Sequence, residues 1–255
     1  VSGNTKSGKR GEAARRAQEV AAKRLAAAKA AERRRRALVV GAVVVAVLLI
    51  AGVVGYGVYR SQKVPSAAQV TAPAAAGGGT GITIGTGGPT ADIYLDFLCP
   101  NCKTLEDQLG ATVDQLIAQG SLKVSYHPVA ILDESSSGTK YSTRSGSAAA
   151  CASDAGALPA YLKQLYSNQP AEGSTGLTDD KLVELGTAAG ITNAAADAFG
   201  SCVRSRKYAD WMTANTDQFS RDGLRGTPTV KLNGKVITGN QLSVEGFTAA
   251  VKAAT

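Results

Sequence analysis

ADIYLDFLCPNC, residues 91–102, is the stretch that decides the fold. Ile93, Leu95 and Phe97 alternate with Asp92, Tyr94 and Asp96 at the period of a strand. Directly after it, Cys99-Pro100-Asn101-Cys102 leads into a helical run from Lys103 to about Gln119, which Gly120 ends. Two thiols two residues apart at the mouth of a helix can close into a small disulfide and reopen. The unpaired N–H groups and positive dipole end found there favour a thiolate at the first cysteine. Pro100, at the first helical position, gives up an N–H that would have had no partner anyway. Zinc sites use the same spacing, so the choice between redox pair and metal site falls to the rest of the chain.

The 255 residues hold 28 Lys+Arg against 20 Asp+Glu, a net +8 that taken whole suggests nucleic acid. Its distribution removes that suggestion. Up to Arg36, twelve basic residues face only Glu12, Glu19 and Glu32, whereas from Val64 onward 14 basic residues face 17 acidic ones. The charge therefore belongs to a tail, residues 1–36, and no nucleic-acid partner is expected. Ala alternating with Lys, Arg, Glu and Gln gives this tail a helical tendency suited to anionic lipid headgroups.

Residues 37–59 run without a charge. As a helix they span about 34 Å, against a hydrocarbon core of about 30 Å, and read as a transmembrane anchor. A cleaved secretory signal has a shorter apolar core and a shorter basic lead. Arg33 to Arg36 before the span, against Arg60 and Lys63 after it, put the N-terminus in the cytoplasm and everything beyond Tyr59 outside. Outside the cytoplasm, the four cysteines, Cys99, Cys102, Cys151 and Cys202, are expected to pair. Four cysteines allow three connectivities. Only Cys99 with Cys102 and Cys151 with Cys202 leaves the CxxC free to cycle.

From Val64 to about Gly79 the residues are small, uncharged and punctuated by Pro65 and Pro73, and residues 60–79 read as a flexible linker. The domain then opens with Gly81-Ile82-Thr83-Ile84-Gly85. Leu122 to His127 is a further strand, stopped by Pro128. Helical segments follow at Tyr141 to Ala155, Pro159 to Tyr166, Leu182 to Ala189 with Thr178 as cap, one capped by Thr192, and Cys202 to Phe219. Strand character returns at Thr227 to Leu232 and Lys235 to Thr238, joined by the hairpin signal Asn233-Gly234, and a helix capped by Ser243 closes the chain. The order gives one α/β layer with a helical insert over residues 137–222.

GITIG, YLDFLCPNC and Gly226-Thr227-Pro228-Thr229-Val230, in this order around a helical block, resemble the DsbA-like branch of the thioredoxin superfamily over residues 80–255. The resemblance implies a thioredoxin-like fold with an inserted helical lobe, and a membrane-anchored thiol-disulfide oxidoreductase whose catalytic pair is Cys99 and Cys102. It implies that Pro228 is cis and lies against that pair, with Thr227 offering its backbone to an extended substrate segment. Pro100 and Asn101 would tune the pair. Cys151 and Cys202 are similar to the structural disulfide that some relatives carry in the insert; the alternative is two separately buried thiols. Protein thiols would be the substrates and a quinone-linked membrane protein the redox partner, with no cofactor and no metal in the domain.

Two departures stand out. Thioredoxin-like enzymes often keep a buried acid six residues before the first active cysteine, where this chain has Ile93; Asp96 is the nearest acid, in the opposite strand phase. The dipeptide between the cysteines is Pro-Asn, without the histidine of the strongest oxidants. His127, the one histidine, has no Cys or carboxylate at motif spacing and reads as structural. The function expected is an oxidase forming disulfides in secreted or envelope proteins. A reductase or isomerase on the same fold, or a non-catalytic peptide-binding module, is the alternative.

Overall fold

The computed structural model describes residues 23, 29, 32–36, 38–57 and 65–255. The chain divides into two units, one ending at Lys63 and one starting at Val64. In the first, α1 (Glu32–Gly57) is a 26-residue helix of mean hydropathy 3.1, long and apolar enough to cross a bilayer. It begins ahead of the uncharged run and takes in the arginine cluster, where Arg36 Nη2 donates to Glu32 Oε1 one turn away at 2.6 Å. Most of the basic tail, the end of the expected span at Tyr59, and residues 60–64 of the expected linker lie outside the described residues.

Residues 65–79, the described part of the expected linker, form two short 3-10 turns, Ala67–Gln69 and Ala74–Ala76, within the second unit. Ala67 and Pro73 are buried, Val70, Ala72 and Ala76 pack on the core, and the Trp211 indole N–H donates to Gly79 O at 2.9 Å. Side chains too small to build a core can still fill the grooves of an existing one.

The second unit is built on a five-stranded sheet of order β1-β3-β2-β4-β5. β1 (Ile82–Ile84) and β3 (Lys123–Pro128) are antiparallel, β3 and β2 (Thr90–Leu95) parallel, and β2, β4 (Thr229–Leu232) and β5 (Lys235–Ile237) successively antiparallel. The parallel pair needs a crossover, which α2 (Pro100–Ala118) supplies. Gly120 at φ 68° closes α2, its N–H going to Ile117 O and that of Ser121 to Leu116 O. At the hairpin Asn233 and Gly234 both take positive φ, 47° and 78°, as a two-residue turn between right-twisted strands requires. This is the α/β layer with an inserted helical lobe expected from the sequence.

The lobe between β3 and β4 comprises α3 (Tyr141–Asp154), α4 (Leu158–Ser167), α5 (Asp179–Ala188), α6 (Ala194–Arg204) and α7 (Ala209–Arg221), and α8 (Val244–Ala253) ends the chain. α3 is the centre of the lobe and is buried almost all round. Its run SGSAAACAS lets α4, α5, α6 and α7 approach closely. The buried serines are satisfied: Ser145 Oγ donates to Tyr141 O, and Ser147 Oγ accepts from Tyr208 N. The single helix expected from Cys202 to Phe219 is two, because Arg206 takes φ 52° and Cys202 belongs to the last turn of α6. The cap of α6 is Asn193, one residue after the expected Thr192. Trp211 and Tyr208 sit in the core, as their size leads one to expect.

Candidate active site

β2 is the central strand, and its C-terminal end delivers the chain to the cysteine pair. The strand stops at Leu95, so Asp96 leaves the strand phase and turns inward, with no exposed surface at all. Its carboxylate accepts from Leu98 N at 2.9 Å, Leu132 N at 3.0 Å and Ser142 Oγ at 2.7 Å, tying the redox turn to the loop after β3 and to α3. From α4's far end, Gln169 Nε2 donates to Phe97 O and Cys99 O, both at 3.0 Å. The turn is thus held from three sides by neighbours distant in sequence.

Cys99 is the N-cap of α2, with Pro100 as first helical residue. Pro100 and Asn101 are exposed, while both cysteines are buried and unbridged. The Thr227–Pro228 peptide is cis. Both residues are half-buried, and Cys99 Sγ lies 3.2 Å from Thr227 O, in position to donate its thiol proton. The structure therefore brings Cys99, Cys102, Thr227 and Pro228 together, with Pro100 and Asn101 on the outer lip.

The two sulfurs are held in opposite electrostatic states. The Cys102 thiol beside it lowers the Cys99 pKa most; burial raises it; the Thr227 hydroxyl and the N–H groups of Cys102 and Asn101 lower it further, and the balance falls at about 5. Because Pro100 has no N–H, the second and third residues of α2 supply the backbone donors. Burial pushes Cys102 far upward, and its hydrogen bond and charge contact with Cys99 push the same way, so it stays protonated. Asp96 is raised to about 6, chiefly by burial, against the pull of Ser142, Leu98 and Leu132; the Cys99 charge raises it further. A nucleophilic, low-pKa sulfur at a helix entrance beside a neutral buried thiol is an arrangement made for thiol-disulfide exchange.

Other residues singled out in the sequence lie apart. Cys151 in α3 and Cys202 in α6 are joined by a disulfide with Cα atoms 5.9 Å apart. His127 is buried, its Nδ1 3.1 Å from Thr80 Oγ1 and its Nε2 3.2 Å from Asp92 Oδ1, with its ring stacked on Tyr94 at 4.4 Å. It fastens the start of β1 to β2 on the face away from the cysteines. Gln169 and Ser142 were not legible as site residues, since both reach the turn from parts of the chain far from it in sequence.

The Thioredoxin family model matches residues 80–253. Among solved structures, the disulfide bond oxidoreductase DsbG of Mycobacterium tuberculosis is similar at 27% identity and TM-score 0.58, over 68% of this chain and 86% of that one. DsbA of Mycobacterium tuberculosis, reduced, is similar at 26% identity and TM-score 0.55, over 69% of this chain and all of that one. MdbA, a thiol-disulfide oxidoreductase from Actinomyces oris, shares the fold at 21% identity and TM-score 0.58, over 74% and 99%. A segment of the serine/threonine-protein kinase PknE of Mycobacterium tuberculosis is 30% identical over 133 residues, 50% of this chain; the match spans 22% of the kinase's length.

Proposed function

The chain belongs to the thioredoxin family, in its DsbA-like branch, and from that membership we propose an extracytoplasmic, membrane-tethered protein thiol-disulfide oxidoreductase that works as an oxidase through Cys99 and Cys102. A substrate thiolate attacks Cys99 Sγ of the Cys99–Cys102 disulfide, the S–S bond breaks, and Cys102 leaves with the electron pair. A second substrate thiolate then attacks the substrate sulfur of the mixed disulfide, and Cys99 leaves as a thiolate. The substrate gains a disulfide and the pair is left reduced.

The observation that carries this proposal is the geometry of the turn: Cys99 caps α2 with its Sγ 3.2 Å from Thr227 O, and Cys102 lies buried and unbridged one turn on, an arrangement that lowers the Cys99 pKa to about 5. Holding Cys99 as a thiolate favours the reduced pair over the disulfide, so the protein hands its disulfide on readily. Thr227 and Pro228 are proposed as the wall along which an extended substrate lies, Pro100 and Asn101 as tuning residues, and the Cys151–Cys202 bond as structural. The helix α1 is proposed as a single-pass anchor, with the basic tail in the cytoplasm and residues 65–255 outside, facing secreted and envelope proteins. By resemblance, a quinone-linked membrane protein reoxidises the pair.

The test is oxidative refolding of a reduced multi-cysteine protein by the oxidised full chain in detergent micelles. Wild type should restore the client's disulfides in proportion to enzyme added, and Cys99→Ser should abolish it. A Cys99→Ser chain as active as wild type would sink the redox proposal and leave the peptide-binding module.

A further inference from the structure

The Cys99 sulfur receives the N–H groups of Asn101 and Cys102, and each of these has a carbonyl competing for it. The Asn101 N–H would go to Phe97 O, four residues back, if α2 began one turn earlier. The Cys102 N–H is shared with Cys99 O, 3.1 Å away. One side chain meets both carbonyls: Gln169 Nε2 donates to Phe97 O and to Cys99 O, each at 3.0 Å. Among the described residues no other donor reaches Phe97 O, although Phe97 is buried.

Gln169 is held in place by the inserted lobe. It follows the last turn of α4, its own N–H going to Tyr166 O at 3.2 Å, and Pro170 stops the helix there. The Tyr166 ring lies against Phe97, with centroids 5.4 Å apart. Beyond Pro170, Gly173 N donates to Ser135 O, Ser137 Oγ to Gly173 O and Thr139 Oγ1 to Thr175 O, each at 2.7 Å. Buried Arg144 of α3 gives Nη1 to Leu177 O at 2.7 Å and Nη2 to Thr175 O at 3.4 Å. The segment that carries Gln169 is thus tied at both ends to structure outside the redox turn.

We propose that Gln169 is a positioning residue for disulfide exchange: by occupying the Phe97 and Cys99 carbonyls it leaves the Asn101 and Cys102 N–H groups to the Cys99 sulfur. This rests on the redox function proposed for Cys99 and Cys102. The step it serves is release of the substrate. When the second substrate thiolate attacks the substrate sulfur of the mixed disulfide, the bond to Cys99 breaks, the electron pair goes to Cys99 Sγ, and no proton moves. The two N–H groups are already in place to stabilise that charge. An N–H spent on a carbonyl gives the leaving sulfur nothing.

A side-chain amide suits this task. Its nitrogen carries two hydrogens and so serves two carbonyls, and it brings no net charge to the sulfur. The titratable groups acting on Cys99 are Cys102 of α2, the Asp96 carboxylate before it and the Tyr166 hydroxyl of α4. A neutral substitution at residue 169 leaves all three in place, so its effect reports on the donors alone.

The experiment compares the full-length wild type with Gln169→Leu and Gln169→Glu in detergent micelles. Thiolate absorbance of the reduced proteins is followed against pH, and the potential is measured by equilibration with reduced and oxidised glutathione at pH 7. Wild type should half-titrate near pH 5. Gln169→Leu, which keeps the bulk and removes both donors, should raise that midpoint by about one pH unit. Its reduction potential should fall by about 30 mV, the equivalent of a tenfold change in a two-electron equilibrium. Gln169→Glu keeps the shape with one donor at most, should shift both quantities the same way, and serves if Gln169→Leu does not fold. A merely structural role would lower the unfolding midpoints of oxidised and reduced protein alike and leave titration and potential at the wild-type values. That result in both variants overturns the proposal. A wild type that titrates near pH 5 yet exchanges no disulfide with glutathione overturns the redox function itself.

Discussion

Cys99 and Cys102 share one helical turn and one buried environment, and they differ in their donors. Burial raises both, but only Cys99 receives enough hydrogen bonds to end below its ordinary value of 9.0, at about 5. The sign of the linkage follows. A thiol whose pKa is depressed by folding contributes stability that is present above its unfolded pKa and lost as pH falls through the folded one. The reduced protein should therefore lose stability relative to the oxidised protein as pH drops from about 9 to about 5; folded Cys102 stays protonated across that window, and unfolded Cys102 ionises only toward its top. Urea unfolding of both forms across that range checks it, together with thiolate absorbance near 240 nm, which should half-titrate near pH 5 and vanish in Cys99→Ser. A midpoint at the ordinary thiol value contradicts the donor set. The pair itself was legible from spacing, because helix entry and CxxC are local. Asp96 was noticed as the nearest acid, but its burial was not legible, since strand alternation carries it outward and only the early end of β2 turns it in. Gln169 had no local signal: it reaches Phe97 O and Cys99 O across about seventy residues of chain.

At the scale of elements, α3 and α6 are joined by Cys151–Cys202, which closes a loop of 51 residues. Chain entropy makes such a cross-link worth about 4 kcal/mol when unstrained. Replacing both residues with alanine should lower unfolding stability by that order, measured by urea titration, while the Cys99 titration near pH 5 persists because the redox turn is fastened by Asp96 and Gln169 and not by α6. An unchanged stability would mean that the helices of the lobe are already pinned by packing. Strands, the crossover helix and the hairpin were legible because their signals are short-range: alternation, Pro100 at a helix start, Asn233-Gly234 at a turn. The break between α6 and α7 was missed because Ser205 to Tyr208 contains neither Gly nor Pro, and the left-handed residue is Arg206. The docking of residues 65–79 was missed for a different reason. Composition reports what a segment can bury by itself, and here the receiving groove, closed by Trp211, is made by residues far along the chain.

Across the whole molecule, charge and hydropathy sort the chain into a basic N-terminal region, an apolar helix and a mildly acidic domain. That sorting is what turns a dithiol of ambiguous use into a proposed envelope redox site, because an oxidising compartment is where a cycling disulfide has clients. Within the domain, the sheet sets β2 at the centre, the lobe holds the turn from outside, and the cis Thr227–Pro228 loop closes over Cys99. Direction is the remaining property of the whole, since it compares this pair with its surroundings. The most direct measurement is the reduction potential of Cys99–Cys102 in the full chain, by equilibration against reduced and oxidised glutathione at pH 7. A Cys99 pKa of about 5 falls between the values typical of thioredoxin and of the strongest oxidants, about 7 and about 3.5. The account predicts a potential above about −200 mV, and a value at or below thioredoxin's, about −270 mV, would contradict it.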